Sequence, residues 1–181
     1  MGRSPLLPIF LIVLVDVLGL TIVIPLLGPY AESFHATPFV ASLLVPTYAA
    51  CQMISGPLLG RWSDRIGRKP VLVISQLGTL AGFVLMARAG ALWMVFLARV
   101  LDGATAGNLS IAQAYIADHT RPEERTKSFA LIGIALGLGF TVGPAVPAIT
   151  HAYGMNAAIW VAAGLSLTSV LCTTFLLPTP P

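Results

Sequence analysis

Charge is scarce in this sequence: Asp, Glu, Lys and Arg make up 9% of its 181 residues, too few to coat a soluble domain of that length. With 56% hydrophobic residues and a mean hydropathy of +0.88, the apolar surface exceeds what such a domain could bury, and the bilayer becomes the solvent. Cysteine is limited to Cys51 and Cys172, both in apolar stretches, where they read as reduced packing residues. His35, His119 and His151 stand singly in loops as solvated side chains, so neither a disulfide framework nor a metal-ligand spacing is present. There is no phosphate loop, nucleophile elbow or zinc motif, which excludes a nucleotide-driven pump within this chain and gives no catalytic pair to an intramembrane enzyme. Short alternating segments of about ten residues are missing too, and with them the transmembrane barrel.

What the sequence has is six apolar runs, near 6–29, 38–59, 70–88, 91–117, 128–149 and 156–177. Each is about the 20 residues that a helix needs to cross the hydrocarbon at about 1.5 Å per residue. The expected fold is therefore an all-α membrane bundle of six transmembrane helices with short connections and no soluble domain. The first run holds Asp16 and continues past Leu26 without a small-residue cleavage site, so it reads as a retained span, not a signal peptide. Leu6 stands where a myristoylation signal needs Ser or Thr.

Six spans put both termini on one side with the loops after spans two and four. Those segments carry Arg3, Arg61, Arg65, Arg68, Lys69, Arg121, Arg125 and Lys127, against Arg88 alone on the other side. The positive-inside rule assigns them to the cytoplasm of a plasma (inner) membrane protein with both termini cytoplasmic. The net charge of +3 is then a topology signal and implies no nucleic-acid partner.

Within the spans the ionisable residues are Asp16, Arg99 and Asp102. A charge at mid-bilayer costs at least about 2.5 to 3.5 kcal/mol, so each needs a partner or a wet cavity. Asp16 and Asp102 fall about 15 Å into their spans, a depth suited to a coupling ion or substrate. Arg99 and Asp102 are three apart and share a helix face that continues through Ala106, Ser110 and Gln113. That face either lines a cavity or carries a neutralised pair that only pins helices. Gln52, Asn108 and Gln113 are polar enough to line a substrate path or to hold helices together.

Residues 60–69, Gly60, Arg61, Trp62, Ser63, Asp64, Arg65, Ile66, Gly67, Arg68 and Lys69, form a charged loop in which Gly60 allows close approach to a neighbour and Gly67 a tight turn. This stretch resembles the signature between spans two and three of the major facilitator superfamily. Further support comes from "DVLGLTIVIPLL" at Asp16, "ALWMVFLARVLDG" at Ala91 and "AYIADHTRPEER" around Asp118. The whole chain is most similar to the drug:proton antiporters that include the tetracycline exporters. The resemblance implies a cytoplasmic gate in which Gly60, Asp64, Arg65, Gly67, Arg68 and Lys69 act with Asp118 and Arg125, and proton coupling through Asp16, Arg99 and Asp102 with substrate lining from Gln52, Asn108, Ser110 and Gln113. It also implies an antiporter-motif helix in span five, "GIALGLGFTVGPAV", with Gly139, Gly143 and Pro144; Pro147 and Ala148 stand in place of that motif's closing glycine pair.

The superfamily plan further implies two inverted three-helix repeats, about 6–88 and 91–177, making residues 1–181 the N-terminal half of a twelve-helix transporter whose C-terminal half this chain does not carry. Its partners are then the lipid bilayer, a small-molecule substrate and a second six-helix half or homodimer, and protons take the place of a cofactor. Two functions follow: a half-transporter for proton-coupled export of small molecules or drugs by alternating access, or a truncated, non-transporting fragment that acts as a membrane packing or regulatory partner. Tetracycline exporters carry an acidic residue within span three, where Gly82 aligns here, and this points away from tetracycline as substrate.

Overall fold

The computed structural model describes residues 6–177, and every regular element in that range is helical. The first span is α1 (Leu6–Val23), continued by a 3-10 turn and α2 (Leu27–Glu32). The second is α3 (Pro38–Ser42) leading into α4 (Leu44–Ile66), with Thr37 capping α3 by accepting the Val40 amide. The third is α5 (Arg68–Ala87). The fourth is divided into α6 (Leu92–Ala104) and α7 (Asn108–His119). Span five is α8 (Arg125–Val142) and α9 (Ala145–Thr150), parted at Gly143 and Pro144 because proline has no amide to continue the ladder. Span six is α10 (Met155–Leu176). Five helical segments are long and apolar enough to cross a bilayer: 6–32, 38–66, 68–87, 122–153 and 155–176.

Three sequence expectations are corrected. Span four is not one continuous helix over 91–117. The hydroxyl of Ser75 on α5 donates to the Thr105 carbonyl and accepts from the Gly107 amide at 3.0 Å, taking over backbone bonds at the break. The charged stretch at 60–69 is not a loop either. α4 runs on to Ile66 and α5 begins at Arg68, so the whole turn is Gly67, whose φ of 102° is a conformation that favours glycine. Gly60, expected to close on a neighbour, has no atom within 4 Å of where its side chain would begin. Close approach occurs elsewhere. A side chain at Gly103 would start 2.6 Å from the Tyr48 carbonyl, and one at Gly139 would strike Val17 of α1.

α1 packs on α10 and α8, α10 on α5, and α6 on both α4 and α5. Buried apolar side chains form two clusters. One holds Ile22, Tyr30, Phe83, Met86, Val95 and Ile159; the other holds Ile9, Val13, Leu72, Ile111, Tyr115 and Ile132. Where the two clusters meet, spans one, three, four and six carry polar side chains: Asp16 in α1, Ser75, Gln76 and Thr79 in α5, Arg99 and Asp102 in α6, Asn108 in α7, Ser166 and Ser169 in α10. A polar belt therefore lies between two oily layers, and it holds the candidate site. Arg3, one of the basic residues behind the orientation argument, lies outside the described residues.

Candidate functional site

The belt opens on a cavity of about 390 Å³ lined by five spans: Asp16, Val17 and Leu20 from the first, Tyr48 and Gln52 from the second, Thr79 and Phe83 from the third, Asp102, Ala106, Asn108, Leu109, Ser110 and Gln113 from the fourth, and Leu136 and Phe140 from the fifth. Asp102, Ala106, Ser110 and Gln113 thus share the cavity as their spacing predicts, although the helix is broken between the first and the last two. Gln52, Asn108, Ser110 and Gln113 all reach its wall.

The two carboxylates are held differently. Asp102, 3% exposed, accepts from Arg99 Nη1 at 3.0 Å. Arg99, 1% exposed, lays its guanidinium over the Tyr48 ring at 4.4 Å from the centroid. A pair one helical turn apart, with a ring face above it, is neutral as a unit, which lowers the cost of carrying both charges in lipid. Asp16 has no such neighbour. Both its oxygens are buried with no hydrogen-bond partner among the described residues, while Ser169, Gln76 and Asn108 lie within electrostatic reach. Gln76 is fully buried and donates Nε2 to Ser169 Oγ at 2.8 Å, tying α5 to α10 beside that carboxylate.

Gln76, Thr79, Tyr48 and Ser169 escaped the sequence reading. An amide in span three is the same signal that singled out Gln52 and Asn108, and applying it to every span finds Gln76. Ser169 carries no such signal, because serines recur through span six and only packing selects one of them.

Where α4 gives way to α5, Arg68 meets two acids: Asp64 across the Gly67 turn at 2.5 Å, and Asp118 at the end of α7, accepting from Nε at 2.9 Å. Ser63 accepts from the Arg68 guanidinium at 2.7 Å. Arg125 donates to the Ala117 carbonyl at 2.9 Å and makes no ion pair with these acids. Arg65 is exposed on α4, outside the Arg68 pairs. Lys69 turns the other way and donates to the carbonyls of Thr174 and Leu177 at the end of α10. In span five, Gly139 and Gly143 are buried against Val17 and Thr21 of α1, and the Thr21 hydroxyl donates to the Gly139 carbonyl at 2.9 Å. Pro144 is exposed at the end of that contact.

A helical bundle with a polar belt around a multi-span cavity and a one-residue glycine turn between charged helix ends on its rim is the architecture of a multi-pass membrane domain. Residues 9–181 match the family model of the Major Facilitator Superfamily, and the chain belongs to that family. Its curated relatives include tetracycline resistance proteins. It is 36% identical over 180 residues to the class E tetracycline resistance protein of Escherichia coli, covering 98% of this chain and 44% of that protein. It is 34% identical to the class B protein of Escherichia coli over 91% of this chain and 42% of the relative, and 32% identical to the inner membrane transport protein YajR of Escherichia coli K12 over 89% and 36%. The crystal structure of the human organic anion transporter MFSD10 superposes with a TM-score of 0.87 at 25% identity, over 98% of this chain and 48% of that one. The chain therefore spans less than half the length of the curated relatives it matches.

Proposed function

We propose that these residues form the N-terminal six-helix half of a proton-coupled exporter of small molecules, working by alternating access with a second six-helix half. The membrane would be the plasma (inner) membrane, with both ends of the half cytoplasmic. The observation that carries the reading is Asp16: a carboxylate with no hydrogen-bond partner, at mid-span, on the wall of a cavity lined by amides and aromatic rings. Such a group binds a proton when sealed in an apolar setting and releases it when water reaches it, which is the exchange that alternating access needs. The Arg99–Asp102 pair holds a fixed dipole opposite, and the Arg68–Asp64–Asp118 cluster closes the cytoplasmic rim.

The second half would lie along α4 and α8. On α4, Gly56 and Gly60 are spaced by four; on α8, Gly133 and Gly137 repeat the spacing; among the described residues nothing beyond the glycine's own helix backbone and chain neighbours comes within 4 Å of the place where any of the four side chains would begin. Small residues at that spacing let a further helix approach closely. The length of the relatives, more than twice that of this chain, supplies such helices.

The relatives that are tetracycline resistance proteins make tetracycline the first substrate to test. The span-three acid of those exporters is replaced by Gly82, yet a side chain at Gly82 would begin 3.1 Å from Asp102 Cβ. Asp102 of span four thus brings a carboxylate to nearly the same place. In vesicles carrying the chain with its second half, tetracycline or a lipophilic cation should be pumped when a pH gradient is imposed. Asp16→Asn should abolish pumping while the protein still inserts. Undiminished transport by that variant would remove Asp16 from the mechanism.

A further inference from the structure

The charges around the cavity do not cancel. Arg99 is matched by Asp102 at 3.0 Å, which leaves Asp16 as an unmatched carboxylate in the polar belt. The groups that act on it are Ser169 of α10, Gln76 of α5, Asn108 of α7 and Asp102 of α6, with Tyr48 of α4 across the cavity. From α8, residues 128–142 hold no titratable side chain. Four oxygens of this group are buried without a hydrogen-bond partner among the described residues: both of Asp16, Oε1 of Gln76 and Oδ1 of Asn108. Ser169 adds a hydroxyl whose oxygen faces Gln76.

We propose that Asp16, Gln76, Asn108 and Ser169 form a binding site for one dehydrated alkali cation, such as sodium, which competes with the proton. Carboxylate, amide and hydroxyl oxygens are the donors that hard cations take. The single unmatched charge fits a monovalent ion, whereas a divalent ion would leave a positive charge stranded in lipid. Asn108 is the first residue of α7, just after the break in span four, and discontinuous helices near the midplane commonly supply coupling-ion ligands in transporters. An amide turned by 180° exchanges its N–H₂ for its oxygen with little change in shape. Gln76 and Asn108 can therefore donate to a bare carboxylate or coordinate an ion beside it.

The site rests on the reading of Asp16 as the ion-carrying carboxylate, but it is tested by binding and needs no flux. The purified chain in nanodiscs at pH 8 is titrated with ²²Na⁺, with choline balancing ionic strength. The expected result is saturable binding of one ion per chain, weakening about tenfold per pH unit once the proton competes. Binding should be lost in Asp16→Asn and weakened at least tenfold in Gln76→Leu, with thermal unfolding in choline reporting the fold of each variant. Displacement by potassium supports an alkali site. Absence of saturable binding in the wild type, equal binding by Asp16→Asn or displacement by choline overturns it, and the wild-type pH series decides the matter even if both variants misfold. Missing sodium binding beside intact proton-driven export sinks this site alone; intact binding beside export indifferent to a pH gradient sinks the proton reading alone.

Discussion

Spans three and six are fastened to each other at three heights, whereas spans two and five turn glycines toward nothing in the chain. At one end Lys69, second residue of α5, donates to the Thr174 and Leu177 carbonyls that close α10. At the other end Asn156, second residue of α10, donates to the Ala87 carbonyl that closes α5 at 3.0 Å. Between them stands the Gln76–Ser169 bond. Half of the most apolar stretch of span three, 50%, is buried within the chain, against 17% for span two. The first pair of helices is completed by its own sequence; the second pair presents surfaces that lipid or another helix must cover. Orphaned carbonyls at helix ends explain the difference in part, since in lipid each must find a donor inside the protein.

The comparison breaks if the buried ties contribute little. Arg99→Ala should have the largest effect, because it leaves Asp102 buried and uncompensated; a loss of about 3 to 5 kcal/mol is expected in detergent-induced unfolding, mostly restored by a second change, Asp102→Asn. A sharper test uses one helix with two faces. Gly139→Leu on α8 must overpack Val17 of α1, and about 1 to 3 kcal/mol should be lost. Gly137→Leu points into open space and should stay within about 0.5 kcal/mol. Equal losses for the two would show that α8 has no free face. Among the stabilising ties the smallest effects belong to the reciprocal caps: Lys69→Met and Asn156→Ala should each cost about 0.5 to 1.5 kcal/mol. The two changes should add, because they sit at opposite ends of the pair.

The all-helical bundle and the order of its apolar segments were legible in the sequence, since long apolar runs have few other solutions; five of the six expected spans are helices long and apolar enough to cross a bilayer. The two mid-span carboxylates and Arg99 were legible for the same reason: a charge in lipid is conspicuous. The break in span four was not, because it is enforced from outside by Ser75, a serine one span earlier with no mark of that role. Gly60 was misjudged because a glycine permits contact without causing it, and no described neighbour uses the space beside it. The charged stretch was misjudged because its composition suits a loop, while Asp64 lies in the last turn of α4 and Arg68 opens α5, the two pairing across the single-residue turn at Gly67. Composition marked the polar residues; only packing sorted them into a paired Asp102 and a solitary Asp16.

Gly67 alone separates α4 from α5, and a junction of one residue has no slack. Any swing of the end of span two at Gly67 is handed at once to Lys69 and, through its grip on the last carbonyls of α10, to the end of that helix. A displacement that begins on the rim thus arrives at the exit of span six as a pull, relayed by parts too short to absorb it.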